Sequence, residues 1–300
     1  MMRTIQRYMI VVAALLLTGT SAFGTTCQND ICNPEKFTLD SITLTPELGL
    51  GTDQLLAHTY AATSCVGVFL GENDDSADLS LPAVNIGQEN AGMLNGQGAL
   101  FDGLEFIGEE DFQDLDGDGN ATDPGWIHLA HFDTQTQVIS YDTAGPNPYS
   151  GSDVTLDIGE LLTLSFTTFA GESCAGEDCT EGRWTLTTHV NVIEDAQSLL
   201  GEASFDHLAF SVKAGNAFAV YDFDFTTIFE QEGDDSLLNF NTPYELSGAF
   251  SLDDFCDHGI SHLNIWARDP SDVAVVPEPS TYVLLGLGFV AVGFLSRRRR

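Results

Sequence analysis

Asp114-Leu115-Asp116-Gly117-Asp118-Gly119-Asn120 places carboxylates at the first, third and fifth positions of a loop and a glycine at the sixth. Alternate spacing aims three carboxylates at one point, and the glycine permits a sharp turn, as in a calcium-binding loop. Thr122 falls at the ninth position, so Asp114, Asp116, Asp118, Asn120 and Thr122 form a candidate calcium ligand set. The twelfth position, where a bidentate Glu is expected, is Gly125; Asp123 comes two residues early, and Glu109, Glu110 and Asp111 lie just upstream. Asp-Gly pairs also favour a solvated acidic turn with no metal. Both readings stand.

The six cysteines are Cys27, Cys32, Cys65, Cys174, Cys179 and Cys256. An even count favours disulfides wherever a chain is exported to an oxidising compartment. The two C-x₄-C spacings suggest Cys27–Cys32 and Cys174–Cys179, which leaves Cys65–Cys256. A zinc site is the rival, and four-residue gaps without paired histidines fit it poorly. His128 and His131, and Asp257, His258 and His262, are close in sequence but lack the His-Glu-x-x-His spacing of a metalloprotease. Ser261-His262 is expected to point to opposite faces of a strand. No Gly-x-Ser-x-Gly elbow, P-loop or dinucleotide fingerprint is present. Trp126, Trp184 and Trp266 offer rings that either stack on sugars from an open sheet face or pack in a core. Asn120-Ala121-Thr122 matches a glycosylation sequon. The chain is therefore expected not to be an enzyme. A secreted hydrolase using two carboxylates remains an alternative, but sequence alone does not select a pair.

The elements that must position these residues read as β-strands. Leu186, Thr188, Val190 and Val192 alternate with more polar neighbours, as do Leu208, Phe210 and Val212. Ala217, Ala219, Tyr221, Phe223 and Phe225 continue the period of two past a Gly215-Asn216 turn. Leu162 to Phe169 is a further strand candidate. Shorter ones are Lys36 to Leu44, Cys65 to Leu70, Val138 to Tyr141, Leu246 to Leu252 and His262 to Ala267. A helix is expected only around Glu194 to Leu200. The expectation is an all-β ectodomain at residues 25–275, a single β-sandwich with a jelly-roll-like order. Its charge is one-sided. Of 45 acids only Glu278 lies beyond residue 276, while Lys36, Arg183, Lys213 and Arg268 are the only cations between the two ends. A body near −40 has nothing with which to neutralise phosphates, which excludes nucleic acid and anionic lipid as partners.

The two ends are of another kind. Arg3 and Arg7, the apolar run Met9 to Leu17, and Ala22-Phe23-Gly24 read as a signal peptide over residues 1–24, cut by signal peptidase. At the other end, Pro277-Glu278-Pro279 precedes an apolar stretch from Thr281 to Leu295, and Arg297, Arg298, Arg299 and Arg300 close the chain. Thr281 to Ser296 would reach about 24 Å as a helix, enough for a thin span, and the arginines hold its end in the cytoplasm. The prolines keep Glu278 in an extended, accessible segment. In this order and position the three features resemble the PEP-CTERM sorting signal, over residues 276–300. That resemblance implies a Gram-negative, exopolysaccharide-making host. It also implies processing by exosortase, a membrane-embedded transpeptidase that removes the tail.

Parts of the body resemble a group of domains that carry this tail, through Cys65, Gly67, Gly71, Asn73 and Asp74, then Phe101, Gly103 and Phe106. Phe210 to Lys213 with Tyr221, and Ser261 with His262, continue the likeness. Glu109 and Glu110 depart from it, where the group tends to be basic. The resemblance implies a domain type, not a chemistry. The function expected is structural or adhesive, at the cell surface or in the extracellular exopolysaccharide matrix, after transient anchoring in the inner membrane. The alternative is a calcium-dependent, lectin-like carbohydrate-binding module using the three tryptophans.

Overall fold

The computed structural model describes residues 31–51, 53–70, 84–149, 151–176, 179–200, 205–233, 237–252, 255 and 258–268. The expected signal peptide, Cys27, Gly71, Asn73, Asp74, Cys256, Asp257 and the whole 276–300 segment, with its expected membrane helix, lie outside the described residues. No helix among the described residues is long and apolar enough to cross a membrane.

The elements begin β1 (Thr38–Leu39), β2 (Ser41–Leu44), β3 (Tyr60–Ala61), β4 (Ser64–Leu70), β5 (Trp126–Asp133), β6 (Val138–Tyr141), β7 (Thr143–Ala144) and β8 (Leu156–Asp157). They continue with α1 (Ile158–Leu161), β9 (Leu162–Thr167), β10 (Glu181–Thr188), α2 (Val192–Leu200), β11 (His207–Ala214) and β12 (Ala217–Asp224). The last are α3 (Phe225–Glu232), β13 (Tyr244–Ser251) and β14 (Ile260–Arg268). The fold is mostly β-sheet. One sheet has four strands in the order β2-β13-β10-β9, and another has six in the order β4-β12-β11-β14-β5-β6. All their pairings are antiparallel. Of the eight pairings in these two sheets, β5–β6, β9–β10 and β11–β12 join strands consecutive in the chain and the other five are crossovers.

The two sheets face each other across an aromatic core. Trp184 of β10 lies 4.9 Å from Phe210 and 5.9 Å from Phe223 of the opposite sheet, between ring centroids. Phe37 wedges among them, 4.8 Å from Phe210 and 6.0 Å from Phe250. The four inner strands of the six-stranded sheet, β12, β11, β14 and β5, are largely buried on both faces, which the alternating pattern did not anticipate. Leu208, Phe210 and Val212 point to the inter-sheet core. Ala209, Phe218, Val220, Trp126 and Trp266 point the other way, into a second core closed by Met93, Leu94 and Phe101 of the 84–125 excursion. That excursion is a third layer. The polar residues that alternate with Leu208, Phe210 and Val212, namely His207, Ser211 and Lys213, are therefore buried as well.

Several local expectations end early for identifiable reasons. Val190 and Val192 do not continue β10; Val192 opens α2. Phe225 does not extend β12, because the Asp224 side chain accepts hydrogen bonds from the backbone N–H groups of Thr226 and Thr227 and caps α3. Phe169 lies beyond β9 and is exposed beneath the Arg183 guanidinium, 5.5 Å from the ring centroid. The sequence pattern passed over β5 because its residues Trp126 to Ala130 are all buried and show no alternation.

Candidate functional site

The acidic loop hangs from the third layer. Gln113 and Asp123 close its base with two backbone hydrogen bonds of 2.9 Å. Gly117 (φ +70°) and Gly119 (φ +91°) take the left-handed conformations that let the chain turn inside so short a span. Asp114, Asp116 and Asp118 each offer a carboxylate oxygen, and these oxygens lie within 4.8 Å of one another. Asp114 and Asp118 are exposed and Asp116 is half-buried. Within the loop the same carboxylates accept from its own backbone: Asp114 from Gly119 N–H (3.1 Å), Asp116 from Asp118 N–H (3.0 Å) and Asp118 from Asn120 N–H (2.8 Å). The Asn120 amide also donates to Asp118, at 3.1 Å, and Thr122 is exposed.

Asp123 is not a spare ligand. Its side chain is buried and accepts from the backbone N–H groups of Leu115 (2.6 Å), Glu89 (2.7 Å) and Asp116 (3.1 Å). Burial pushes its carboxyl pKa up, and the three amide donors offset part of that. It is a latch that ties the loop to the segment at Glu89. Glu109 to Asp111 form a short 3₁₀ turn on the other side, and Asp111 accepts from Gly108 N–H.

The other candidates are not brought to this loop. Trp126, Trp184 and Trp266 are 1%, 0% and 1% exposed. A ring enclosed on both faces offers nothing to a sugar, so the carbohydrate-stacking assignment is corrected to core packing. Trp184 donates its indole N–H to the Thr38 carbonyl at 3.0 Å. Trp266 packs edge-on against His128, 4.7 Å between centroids.

The disulfides also correct the expected pairing. Cys174–Cys179 is present, but Cys32 is bonded to Cys65, which overturns both Cys27–Cys32 and Cys65–Cys256. Proximity in sequence misled here: Cys32 is delivered to β4 by a backbone hydrogen bond from its N–H to the Gly67 carbonyl, 2.9 Å.

The histidines separate. His128 Nδ1 pairs with Asp142 at 2.8 Å, while His131 Nδ1 meets Asn264 at 2.8 Å and its ring lies 5.2 Å from that of His262. A bulge between β11 and β14 brings Ser261 Oγ to 3.4 Å from His262 Nδ1, against the expectation that the two diverge. The Ser261 hydroxyl donates to the Lys213 carbonyl at 3.2 Å, so its proton is already committed to the backbone.

Two features had no sequence signal. Arg268 is buried and donates to the Pro124 carbonyl (3.0 Å), the Asp111 carbonyl (2.8 Å) and the Asp206 carboxylate (2.8 Å), fastening the third layer to the last strand. The other is an apolar cavity at one end of the sandwich, lined by residues from both sheets.

Against known families, residues 275–300 match the PEP-CTERM protein-sorting motif. No curated protein and no solved structure matches the chain. The motif marks the chain for export, membrane-anchored sorting and processing by exosortase.

Proposed function

We propose that the mature protein is a non-enzymatic structural or adhesive component. It is delivered to the cell surface or the exopolysaccharide matrix after signal peptidase removes residues 1–24 and exosortase removes the tail. The observation that carries this reading is the sorting motif at 275–300 placed behind a strongly acidic β-sheet body. Of the four cations in that body, Arg268 and Lys213 are buried, so the surface is more one-sided still. Such a surface stays soluble and repels its own kind, and divalent cations can bridge it to acidic polymers. Intact-mass measurement on material released from cells tests the processing. The expected chain begins near Thr25 and ends near Pro277, and Glu278→Ala leaves the protein in the membrane. Release of an intact Arg297–Arg300 tail in cells with active exosortase would overturn it. Loss of polysaccharide retention in a strain lacking this protein, with unchanged polymer synthesis, is the outcome that supports the matrix role.

A second reading concerns calcium. The convergence of Asp114, Asp116 and Asp118 within 4.8 Å favours a weak divalent site at the loop. The latch role of Asp123 and the glycine at the twelfth position remove two further ligands. Affinity is therefore expected at the weak end, about 10⁻⁴–10⁻³ M, as in extracellular modules.

A further inference from the structure

A partly open pocket of about 130 Å³ lies between the two sheets at one end of the sandwich, flanked by α1, α2, α3, Phe205 and the 239–243 segment. Leu186 and Leu246 line it from the four-stranded sheet, and Leu208 and Ala267 from the six-stranded sheet. Phe229 and Phe240, both half-buried and 5.1 Å apart between ring centroids, stand at its rim.

The polar side chains of the lining are committed elsewhere. Thr188 Oγ1 donates to the Tyr244 carbonyl at 2.8 Å, and the Asn239 carboxamide oxygen accepts from Asn241 N–H (2.9 Å) and Thr242 Oγ1 (3.0 Å). His207 Nδ1 is held by Asp222 at 3.0 Å, and the Tyr244 hydroxyl donates to the Leu237 and Asn239 carbonyls. What remains to face the space is hydrocarbon and aromatic surface.

The space is open at its rim, so water reaches it but finds few polar partners there, and a fitting apolar molecule would displace that water and bury the wet hydrocarbon surface. From this volume and lining we infer that the cavity is a binding site for a small, uncharged apolar molecule, one aromatic ring or a branched hydrocarbon of similar bulk. No Lys or Arg lines the space, the lining histidine His207 is already paired with the Asp222 carboxylate, and the surrounding surface is acidic, so an anionic ring is disfavoured. This site is independent of the acidic loop and of the sorting tail.

The test is a titration of the purified, disulfide-intact protein with fluorobenzene, followed by ¹⁹F NMR and by ¹³C-methyl spectra of its leucines. Saturable binding of one equivalent is expected, with the largest shifts at Leu186, Leu208 and Leu246. Benzoate should bind at least about tenfold more weakly. Leu246→Phe and Ala267→Leu fill the space from opposite sheets. In whichever of them keeps the near-ultraviolet circular dichroism of the wild type, fluorobenzene affinity should fall at least about tenfold. Absence of saturable binding to the wild type overturns the site. So do shifts centred on leucines elsewhere, benzoate binding as tightly as fluorobenzene, or undiminished binding to a folded, filled variant. The wild-type spectra decide the matter even if neither variant folds.

Discussion

At Asp114, Asp116 and Asp118 three like charges are held within a few ångströms, and among the described residues backbone amides and the Asn120 carboxamide offset them. A divalent ion would relieve that repulsion, and binding to the folded form alone raises stability by mass action. In millimolar calcium the unfolding midpoint is expected to rise relative to chelator at matched ionic strength, and Asp116→Ala and Asp118→Ala to abolish the rise. A midpoint indifferent to calcium leaves a solvated turn, and a rise surviving both substitutions places the ion elsewhere. His207 makes a second residue-scale prediction. Burial pulls its pKa down, but the hydrogen bond to Asp222 and the charges of Asp222, Asp206 and Asp224 outweigh it, leaving it above the ordinary value. A histidine raised in the folded state adds stability that is complete below the unfolded pKa, about 6.5, and lost as pH rises through the folded value. Chemical-denaturation midpoints measured from pH 6 to 9 should therefore fall with pH, and fall less in His207→Gln. Equal slopes in the two proteins would show that His207 does not titrate in this window.

At the scale of elements, the chain before β1 is fastened to β4, so that Cys32–Cys65 ties a segment serving the four-stranded sheet to an edge of the six-stranded one. The bridge spans 33 residues in sequence. By the chain-entropy model, closing such a loop is worth about 3–4 kcal/mol. Cys65→Ser should lower the denaturation free energy by that order, and non-reducing peptide mapping should recover Cys32 joined to Cys65. Recovery of Cys65 joined to Cys256 would refute the pairing. The third layer depends on Arg268 in a comparable way. One guanidinium serves Pro124, Asp111 and Asp206, and so adds a buried polar tie to the apolar packing of the 84–125 excursion on Trp266 of the final strand.

For the whole molecule, charge dominates. The chain carries −35 formally, and two of the few cations of its body are buried. Self-repulsion of this kind weakens the compact state and is screened over about 10 Å at 0.1 M salt. Raising sodium chloride from 10 to 150 mM should therefore raise the unfolding midpoint by a few degrees, the effect of roughly 1 kcal/mol or less in a domain of this size. A midpoint that falls with salt would mean that attractive pairs, such as Arg268–Asp206, outweigh the repulsion. The same field keeps copies of the protein apart, which suits a chain that presents the edge strands β2, β4, β6 and β9.

What the amino-acid order determined by itself was local or compositional. The proline-bracketed Glu278 before an apolar run and four arginines is contiguous, and the excess of acid is a sum over residues. The alternation in β11 and β12 marks strands without reference to any neighbour. Tertiary structure decided whatever depends on which segments meet. Ala209 and Phe218 face a second core only because residues 84–125 fold over the outer face. The same layering encloses Trp126 and Trp266, while the inter-sheet core encloses Trp184; ring type alone does not say whether a ring is free to stack. Cys32 finds Cys65 because β4 passes beside it, although Cys27 is nearer in sequence. The apolar pocket is drawn from both sheets and from several segments that connect their strands, each of which reads separately as ordinary core. Local signals arise from backbone periodicity and composition, whereas pairing, burial and voids arise from contacts between residues far apart in the chain, which no short stretch of sequence contains.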